Sequence, residues 1–319
     1  MARTFLSPEF ARNYGFWSED EQKALIRSTV AICGAGGGGF QFGLKLARMG
    51  VSGFNVADPE TFEPQNANRV DGAAVSTYGR NKAEVFRDRV LDINPEARVA
   101  VFTEGVTPES VDEFMAGADL VVDESESTQP EIGVLVARAA RARSIPDLMA
   151  MNVGFAAQVT SFAPAGPWTF ERFMGLDERM PLDEVAGHSM DLARSLPYVP
   201  PYSDLRALAA VQGTDGAGES VSLPSLAIGI DLLSSIASTQ AFLHLTRGVS
   251  ARRPQPIWAP RMAYMDAYRF RARVLRAGRG SHLRHLMIAA LRQKLGRNPS
   301  AAYAIADIDR RRARATSTP

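Results

Sequence analysis

A glycine run, Gly34-Ala35-Gly36-Gly37-Gly38-Gly39, follows the short apolar stretch Thr29–Cys33 and opens the helical pattern Phe40–Met49, which Gly50 closes. Gly34, Gly36 and Gly39 fit the spacing G-x-G-x-x-G. Between a strand and a helix that spacing allows a tight turn and brings backbone amides up to phosphate oxygens. The helix N-terminus adds a favourable dipole. Asp58 ends a second apolar run, Gly53–Ala57, nineteen residues beyond Gly39. A carboxylate there accepts hydrogen bonds from ribose hydroxyls. The loop by itself does not separate a dinucleotide such as NAD from ATP.

The residues after Asp58 bear on that choice. Gln65-Asn66-Ala67-Asn68-Arg69 and Gly79-Arg80-Asn81-Lys82-Ala83-Glu84 follow in order, and Asp123 ends the run Asp119–Asp123. Cations, an amide group and a carboxylate thus converge on a mononucleotide site. Nucleotidyl transfer needs that set: fixed cations stabilise charge developing at the α-phosphate, and a carboxylate holds Mg²⁺ against the phosphates. Lys82 opens a helical segment, where a cation opposes the helix dipole, and this favours a ligand role over a structural one.

With these residues in place the chain resembles the ThiF/MoeB superfamily, the adenylating domain shared with ubiquitin-activating enzymes. The resemblance runs from about Arg12 to Phe162, with a weaker continuation in Ser225–Leu245, and rests on six ordered pieces. They are Arg12-Asn-Tyr, Gly34–Gly39, Asp58-Pro-Glu, Gln65–Arg69, Gly79–Glu84 and Asp119–Asp123. It implies a Rossmann-like α/β fold with a mostly parallel sheet, ATP and Mg²⁺ as cofactors, and an adenylyltransferase activity. It further implies that Gly34, Gly36, Gly37 and Gly39 line the nucleotide and that Asp58 binds the ribose. Asn66 and Arg69 would contact the phosphates, Lys82 the triphosphate, and Asp123 would coordinate Mg²⁺. Arg12 resembles the arginine that family dimers insert into the partner's active site, which implies a homodimer. Plainer readings stand beside these: Arg12 as a surface residue, Asp123 as a cap on the segment after it, and Asn68 as a ligand or a turn residue. Glu60 and Glu126 read as rim residues.

The sequence departs from the family in places. Val70 stands where the family commonly has Gln, and Glu124-Ser125-Glu126-Ser127 replaces the usual ending after the metal carboxylate. The single cysteine, Cys33, cannot build the paired C-x-x-C zinc site of MoeB-like members. Cys33 lies in the first strand, and no cysteine falls between 165 and 225, so a thioester relay is not expected. The adenylate then passes directly to an acceptor, as in the tRNA threonylcarbamoyladenosine dehydratases and the peptide-modifying adenylyltransferases. The acyl substrate stays open among a peptide, a protein C-terminus, a tRNA base and a small acid. The competing readings are a nucleotide-binding scaffold of the same family and an NAD-dependent oxidoreductase.

Strand and helix signals alternate through the first half, as βαβ crossovers require. Strands are expected at Thr29–Cys33, Gly53–Ala57, Arg98–Phe102, Asp119–Asp123 and Leu148–Met151, with Gln158–Phe162 extending the sheet. Helices are expected at Phe40–Met49, Asn81–Ile93, Pro108–Met115 capped by Thr107, Ile132–Ala142 and Ser225–Leu245. Arg261–Val274 alternates as a strand does. The organisation reads as an N-terminal arm with the arginine finger (1–28), a nucleotide-binding core (29–164), a crossover or lid segment (165–224), a helix and strands completing the fold (225–275) and a basic tail (276–319).

Charge excludes little beyond a general polyanion binder: Lys+Arg is 36 against Asp+Glu 35, net +1. The basic tail fits a solvated helix, and RNA contact has weak support because Tyr303 is its only aromatic residue. His188, His244, His282 and His285 lack metal-ligand spacing and read as core or surface residues. The N-terminus lacks the apolar region of a secretory signal, and the apolar stretch Ser222–Leu245 carries Asp231 at mid-span. A cytoplasmic protein without a membrane span is the expectation.

Overall fold

Ser18 and Glu21 form a capping box: Glu21 N donates to Ser18 Oγ at 3.2 Å, and Ser18 N donates to Glu21 Oε2 at 2.7 Å. They open helix α1 (Glu19–Arg27), which the sequence reading omitted although S-x-x-E is its signature. The computed structural model describes residues 3–125, 129–188, 199–203, 225–250 and 252–296. After α1 come β1 (Thr29–Cys33), α2 (Gly37–Met49), β2 (Gly53–Ala57), α3 (Lys82–Ile93) and β3 (Arg98–Phe102). Then follow α4 (Val111–Phe114), β4 (Leu120–Asp123), α5 (Pro130–Ala142), β5 (Asp147–Val153) and β6 (Ala156–Phe162). The short helices α6 (Phe170–Met174) and α7 (Leu182–Val185) precede α8 (Ala227–Leu245), β7 (Arg261–Asp266), β8 (Arg271–Arg276) and α9 (Arg279–Lys294).

The strands form one eight-stranded sheet in the order β3-β2-β1-β4-β5-β6-β7-β8. The first five in that order run parallel and β6 to β8 add antiparallel. The order reverses between β1 and β4, the position where open α/β sheets leave a crevice at their carboxyl edge. The expected mixed α/β architecture is therefore what the chain adopts.

Two apolar layers sandwich the sheet. On one face α2, α3 and α8 bury Phe40, Phe54, Phe86, Leu233 and Ala237. On the other, α4 and α5 bury Val121, Val136 and Phe114, and Phe162, Phe170 and Phe173 extend the layer under α6. The helix expected over Ser225–Leu245 is buried against α2: Gln41 donates to Asp231 at 3.0 Å and Lys45 to Ser234 Oγ at 2.8 Å. Among the described residues no helix is long and apolar enough to cross a membrane. His244 belongs to this core. Its Nε2 lies 2.9 Å from Ser161 Oγ, its ring meets Trp258 edge-on, and burial lowers its pKa to about 4.

Three expectations need correction. The helix expected over Pro108–Met115 shrinks to α4, because Thr107 N donates to Ser110 Oγ at 2.9 Å and Ser110 N returns to Thr107 Oγ1 at 3.3 Å. That reciprocal turn takes up the residues Thr107 was expected to cap. The single alternation over Arg261–Val274 is a hairpin, β7 and β8, reversed through a turn in which Phe270 takes φ 48°. The crossover expected as a lid is not free at its start, since Phe170, Phe173, Met174 and Val185 are all buried. Residues 189–198 and 204–224 lie outside the described residues.

One long-range ion pair ties the N-terminal helix to the segment after α8. Arg253 grips Glu21 bidentately, Nε to Oε1 at 2.8 Å and Nη2 to Oε2 at 2.9 Å. Glu21 is 2% exposed, and Arg253 holds its carboxyl far down, at about 2. A depressed carboxyl stabilises the fold above its ordinary value of 4.5, and that contribution is lost as pH falls toward about 2. Arg253→Ala should cost about 2 kcal/mol at pH 7, since Arg253 is partly solvated and the full penalty for orphaning a buried charge does not apply. Denaturant melts should show that difference shrinking as pH drops below 4.5.

Candidate functional site

Three parallel strands deliver their ends to one line. Cys33 pairs with Ala57 on one side and Asp123 on the other. Just beyond, Gly34 N donates to Ala57 O at 2.8 Å, Glu124 N to Cys33 O at 2.8 Å, and Asp58 N to Phe102 O at 3.2 Å. The glycine loop, Asp58 and Asp123 therefore share the carboxyl edge at the switch point.

The glycines are required by backbone crowding. Gly34 has φ 99°, and a Cβ there would lie 2.5 Å from the carbonyl oxygen of Glu124. A Cβ on Gly39 would lie 2.0 Å from the carbonyl oxygen of Gly34, so the first turn of α2 rests directly on the end of β1. Beside Gly36 there is open space. Gly37 faces Ile230 of α8, at 3.0 Å from an added Cβ, with Arg69 Cγ at 3.7 Å. Loop, phosphate-side arginine and α8 thus meet.

Asp58 is 6% exposed and already engaged: Oδ2 accepts from Ala35 N at 2.7 Å and Oδ1 from Glu60 N at 2.9 Å. It shapes the glycine loop as well as facing the site. Burial raises its pKa, and the positive charge of Lys82 works against that rise. Lys82 is the first residue of α3, where Asn81 caps by accepting from Ala83 N at 2.9 Å. Its side chain is 7% exposed and its ammonium is ion-paired with Glu60, whose own side chain is 61% exposed at the rim. Asn66 is buried in a 3₁₀ turn (Pro64–Asn66), and its Oδ1 accepts from Glu63 N at 2.9 Å. Arg69 donates to Gln65 O at 3.2 Å and to Asn68 Oδ1 at 3.0 Å. Asn68 in turn donates to Ser225 O at 3.0 Å, joining the loop to the segment before α8. Val70 is 4% exposed within the main apolar core, so the residue that departs from the family pattern is a packing residue here.

Asp123 is 4% exposed; burial raises its pKa, while Oδ1 accepts from Ser125 N at 3.0 Å. Cys33 is buried beside it, and burial together with the Asp123 and Asp58 charges drives the thiol well up. An inert thiol, as expected, is the result. Arg12 is not brought to this edge. Phe10 packs against Gly50, and Asn13 Nδ2 reaches Gln22 Oε1 at 3.4 Å, at the C-terminal end of α2. Arg12 is exposed there, roughly 20 Å from the glycine loop along a thirteen-residue helix.

One carboxylate escaped the sequence reading, and another, Glu124, entered it only as a departure from the family pattern. Glu124 places Oε2 2.0 Å from where a Cβ of Gly38 would sit, so its side chain lies against the first turn of α2. Asp147 is 3% exposed, and among the described residues neither of its carboxyl oxygens has a well-aligned hydrogen-bond partner. Its register partner is Val121, two residues before Asp123 on the same face of the sheet. Burial pushes its pKa well up, with Asp123 and Glu171 adding repulsion. Glu171 itself is fully buried between Arg138, at 3.0 Å, and Arg141, at 3.1 Å. Glu126 lies outside the described residues.

The model of the ThiF family matches residues 10–283. A tRNA threonylcarbamoyladenosine dehydratase of Bacillus subtilis is 31% identical over 155 residues, 48% of this chain and 60% of that protein. The sulfur carrier protein ThiS adenylyltransferase of Escherichia coli is 30% identical over 151 residues, 47% of this chain and 58% of that protein. The chain thus spans about three-fifths of the length of these relatives. Escherichia coli MccB, solved with ATP, superposes with a TM-score of 0.61 at 14% identity, covering 86% of this chain and 73% of MccB. At that identity the likeness is one of fold.

Two substitutions separate backbone crowding from side-chain crowding. Gly39→Ala should destabilise by about 3 kcal/mol in denaturant melts, because its Cβ meets a carbonyl that cannot move without the strand. Gly38→Ala should cost less than about 1 kcal/mol, since the flexible end of Glu124 can swing away. Asp147 gives a pH test. An acid held protonated by burial stabilises the fold below its ordinary value of 3.8 and loses that contribution as pH rises. Asp147→Asn should therefore melt a few degrees above the wild type at pH 8 and no higher at acid pH.

Proposed function

Because the chain belongs to the ThiF family, we propose that it is an ATP-dependent adenylyltransferase. It activates a carboxylate or carbonyl oxygen as an adenylate and releases pyrophosphate, with no cysteine thioester step. One observation carries this reading: the glycine loop, Asp58 and Asp123 align at the ends of β1, β2 and β4, at the topological switch point.

The residues present fit ATP and Mg²⁺. The loop approaches too closely for side chains at Gly34 and Gly39 yet leaves open space beside Gly36, as a backbone cradle for phosphate requires. Asp123 would hold Mg²⁺, which would supply countercharge to the phosphates of a bound ATP. Asp58 keeps a spare lone pair on each oxygen for ribose hydroxyls while its backbone bonds hold the loop in place. Lys82 and Arg69 supply positive charge where negative charge grows at the α-phosphate. For that, Lys82 leaves Glu60, and Arg69 gives up its bonds to Gln65 and Asn68. Asn66 contributes through the buried turn that orients Arg69. Cys33 takes no part, being buried with a raised thiol pKa.

Arg12 acts in trans in this reading, within a homodimer, since its own chain holds it at the opposite end of α2. A cytoplasmic site of action accords with ATP as cofactor. A scaffold reading draws support from Glu124, whose carboxylate lies against the first turn of α2 where phosphate is to be received.

Calorimetry with ATP and Mg²⁺, beside NAD⁺, tests the nucleotide assignment. The wild type should bind ATP and not NAD⁺, and Asp58→Ala and Lys82→Ala should each weaken ATP about tenfold or more. Binding of NAD⁺ alone, or ATP binding indifferent to Lys82, overturns it. ATP–pyrophosphate exchange driven by a carboxylate substrate then separates the enzyme from the scaffold, and Asp123→Asn should lower that exchange at least about a hundredfold.

A further inference from the structure

The sheet continues past the nucleotide edge into a groove with its own chemistry. Between β8 and α9 lies a cavity of about 320 Å³, lined by Arg269, Arg271, Arg273, Arg284 and Arg292; among the described residues no carboxylate lines it, and the nearby Asp266 is buried behind Tyr264. Among the described residues, Arg271, Arg273, Arg284 and Arg292 make no ion pair. The cations stand in two facing rows. Arg271 and Arg273 alternate on one face of β8, roughly 7 Å apart. Arg284 and Arg292 lie eight residues apart on one face of α9, roughly 12 Å along its axis. Like charges gathered in a concavity repel one another, and the arrangement becomes favourable only when an anion enters.

The walls say which anion. Leu275, Ile288 and Pro201 give the groove an apolar floor. Two aromatic rings line it, Tyr264, 5% exposed with its hydroxyl 3.4 Å from Asp266, and the half-buried His285, a sparse set for a run of stacked bases. Guanidinium forks match carboxylates and phosphates alike, and the apolar floor beside them suits peptide side chains over a phosphodiester backbone. The volume suits a few side chains of an extended chain.

Register ties the groove to the nucleotide site. Asp123 pairs with Met149, and two residues on, Met151 pairs with Gln158, Gln158 with Tyr264, and Tyr264 with Arg273. Cross-strand partners share a face, so Arg273 lies on the face of the sheet that carries Asp123, one pleat repeat nearer the carboxyl edge. Four inter-strand spacings separate β8 from β4, roughly 19 Å, the reach of about six extended residues.

We infer that the arginine groove between β8 and α9 holds an acidic peptide segment of the substrate, about six residues from the carboxylate that is adenylated. This rests on the adenylation reading for the position of the reacting group. Binding to the groove does not.

The test is fluorescence anisotropy without nucleotide, using a fluorescein-labelled peptide with four consecutive glutamates and its all-glutamine counterpart. The full chain should bind the glutamate peptide at least about tenfold more tightly than the glutamine one. The double variant Arg273→Gln, Arg292→Gln, checked for an unchanged melting temperature, should lose that preference; if it melts lower, Arg271→Gln alone is used. Equal binding of the two peptides overturns the proposal. So does preferential, groove-dependent binding of a single-stranded oligoribonucleotide. Selective glutamate binding with no pyrophosphate exchange on any peptide, while ATP still binds as proposed, leaves the nucleotide assignment standing and overturns the assignment of the groove to the substrate.

Discussion

The first turn of α2 rests on the end of β1 with no side chain between them, and the rest of the site follows from that contact. A Cβ at Gly39 would fall 2.0 Å from the Gly34 carbonyl, so only backbone fits at this crossing. The close approach aims the helix N-terminus along the strand edge and leaves amide groups, not side chains, facing the crevice. Asp58 completes the arrangement from the neighbouring strand by accepting from the Ala35 amide at 2.7 Å. From the other side, β4 closes the line through the Glu124 amide on the Cys33 carbonyl. Loop shape is thus set by three strands at once.

Much of this was legible in the sequence because it depends on local pattern. Thr29–Cys33, Gly53–Ala57 and Arg98–Phe102 are strands over the very residues whose apolar and β-branched character predicted them. The glycine spacing and Asp58 marked the switch point before any topology was known. Where local signals competed, the reading slipped. Thr107 and Ser110 bond to one another in a turn, which a propensity for helix over Pro108–Met115 does not anticipate. The capping box at Ser18 and Glu21 was readable and overlooked.

Other features were illegible in principle. Glu124 meets Gly38 across eighty-six positions of chain, and Asp147 lacks a well-aligned partner among the described residues because of what packs around it. Nothing in either residue's neighbours announces this. The facing rows of arginine beside β8 are similar: the alternation along the strand was visible, but only the return of α9 against β8 brings the two rows together. The sequence reading took the cations from Arg276 onward as a solvated helix and Arg271 and Arg273 as part of a strand, since composition cannot tell a convex surface from a concave one.

The seat of Glu124 has a consequence for selectivity. The N-terminus of a helix is ordinarily an indiscriminate host for small anions. Here a tethered carboxylate stands against that turn, as a captive ligand with an effective concentration no free monoanion matches. When ionised it would repel inorganic phosphate and simple carboxylic acids. In the proposed reaction a nucleotide arriving with divalent metal would bring the countercharge that turns the same carboxylate from a rival into a neighbour.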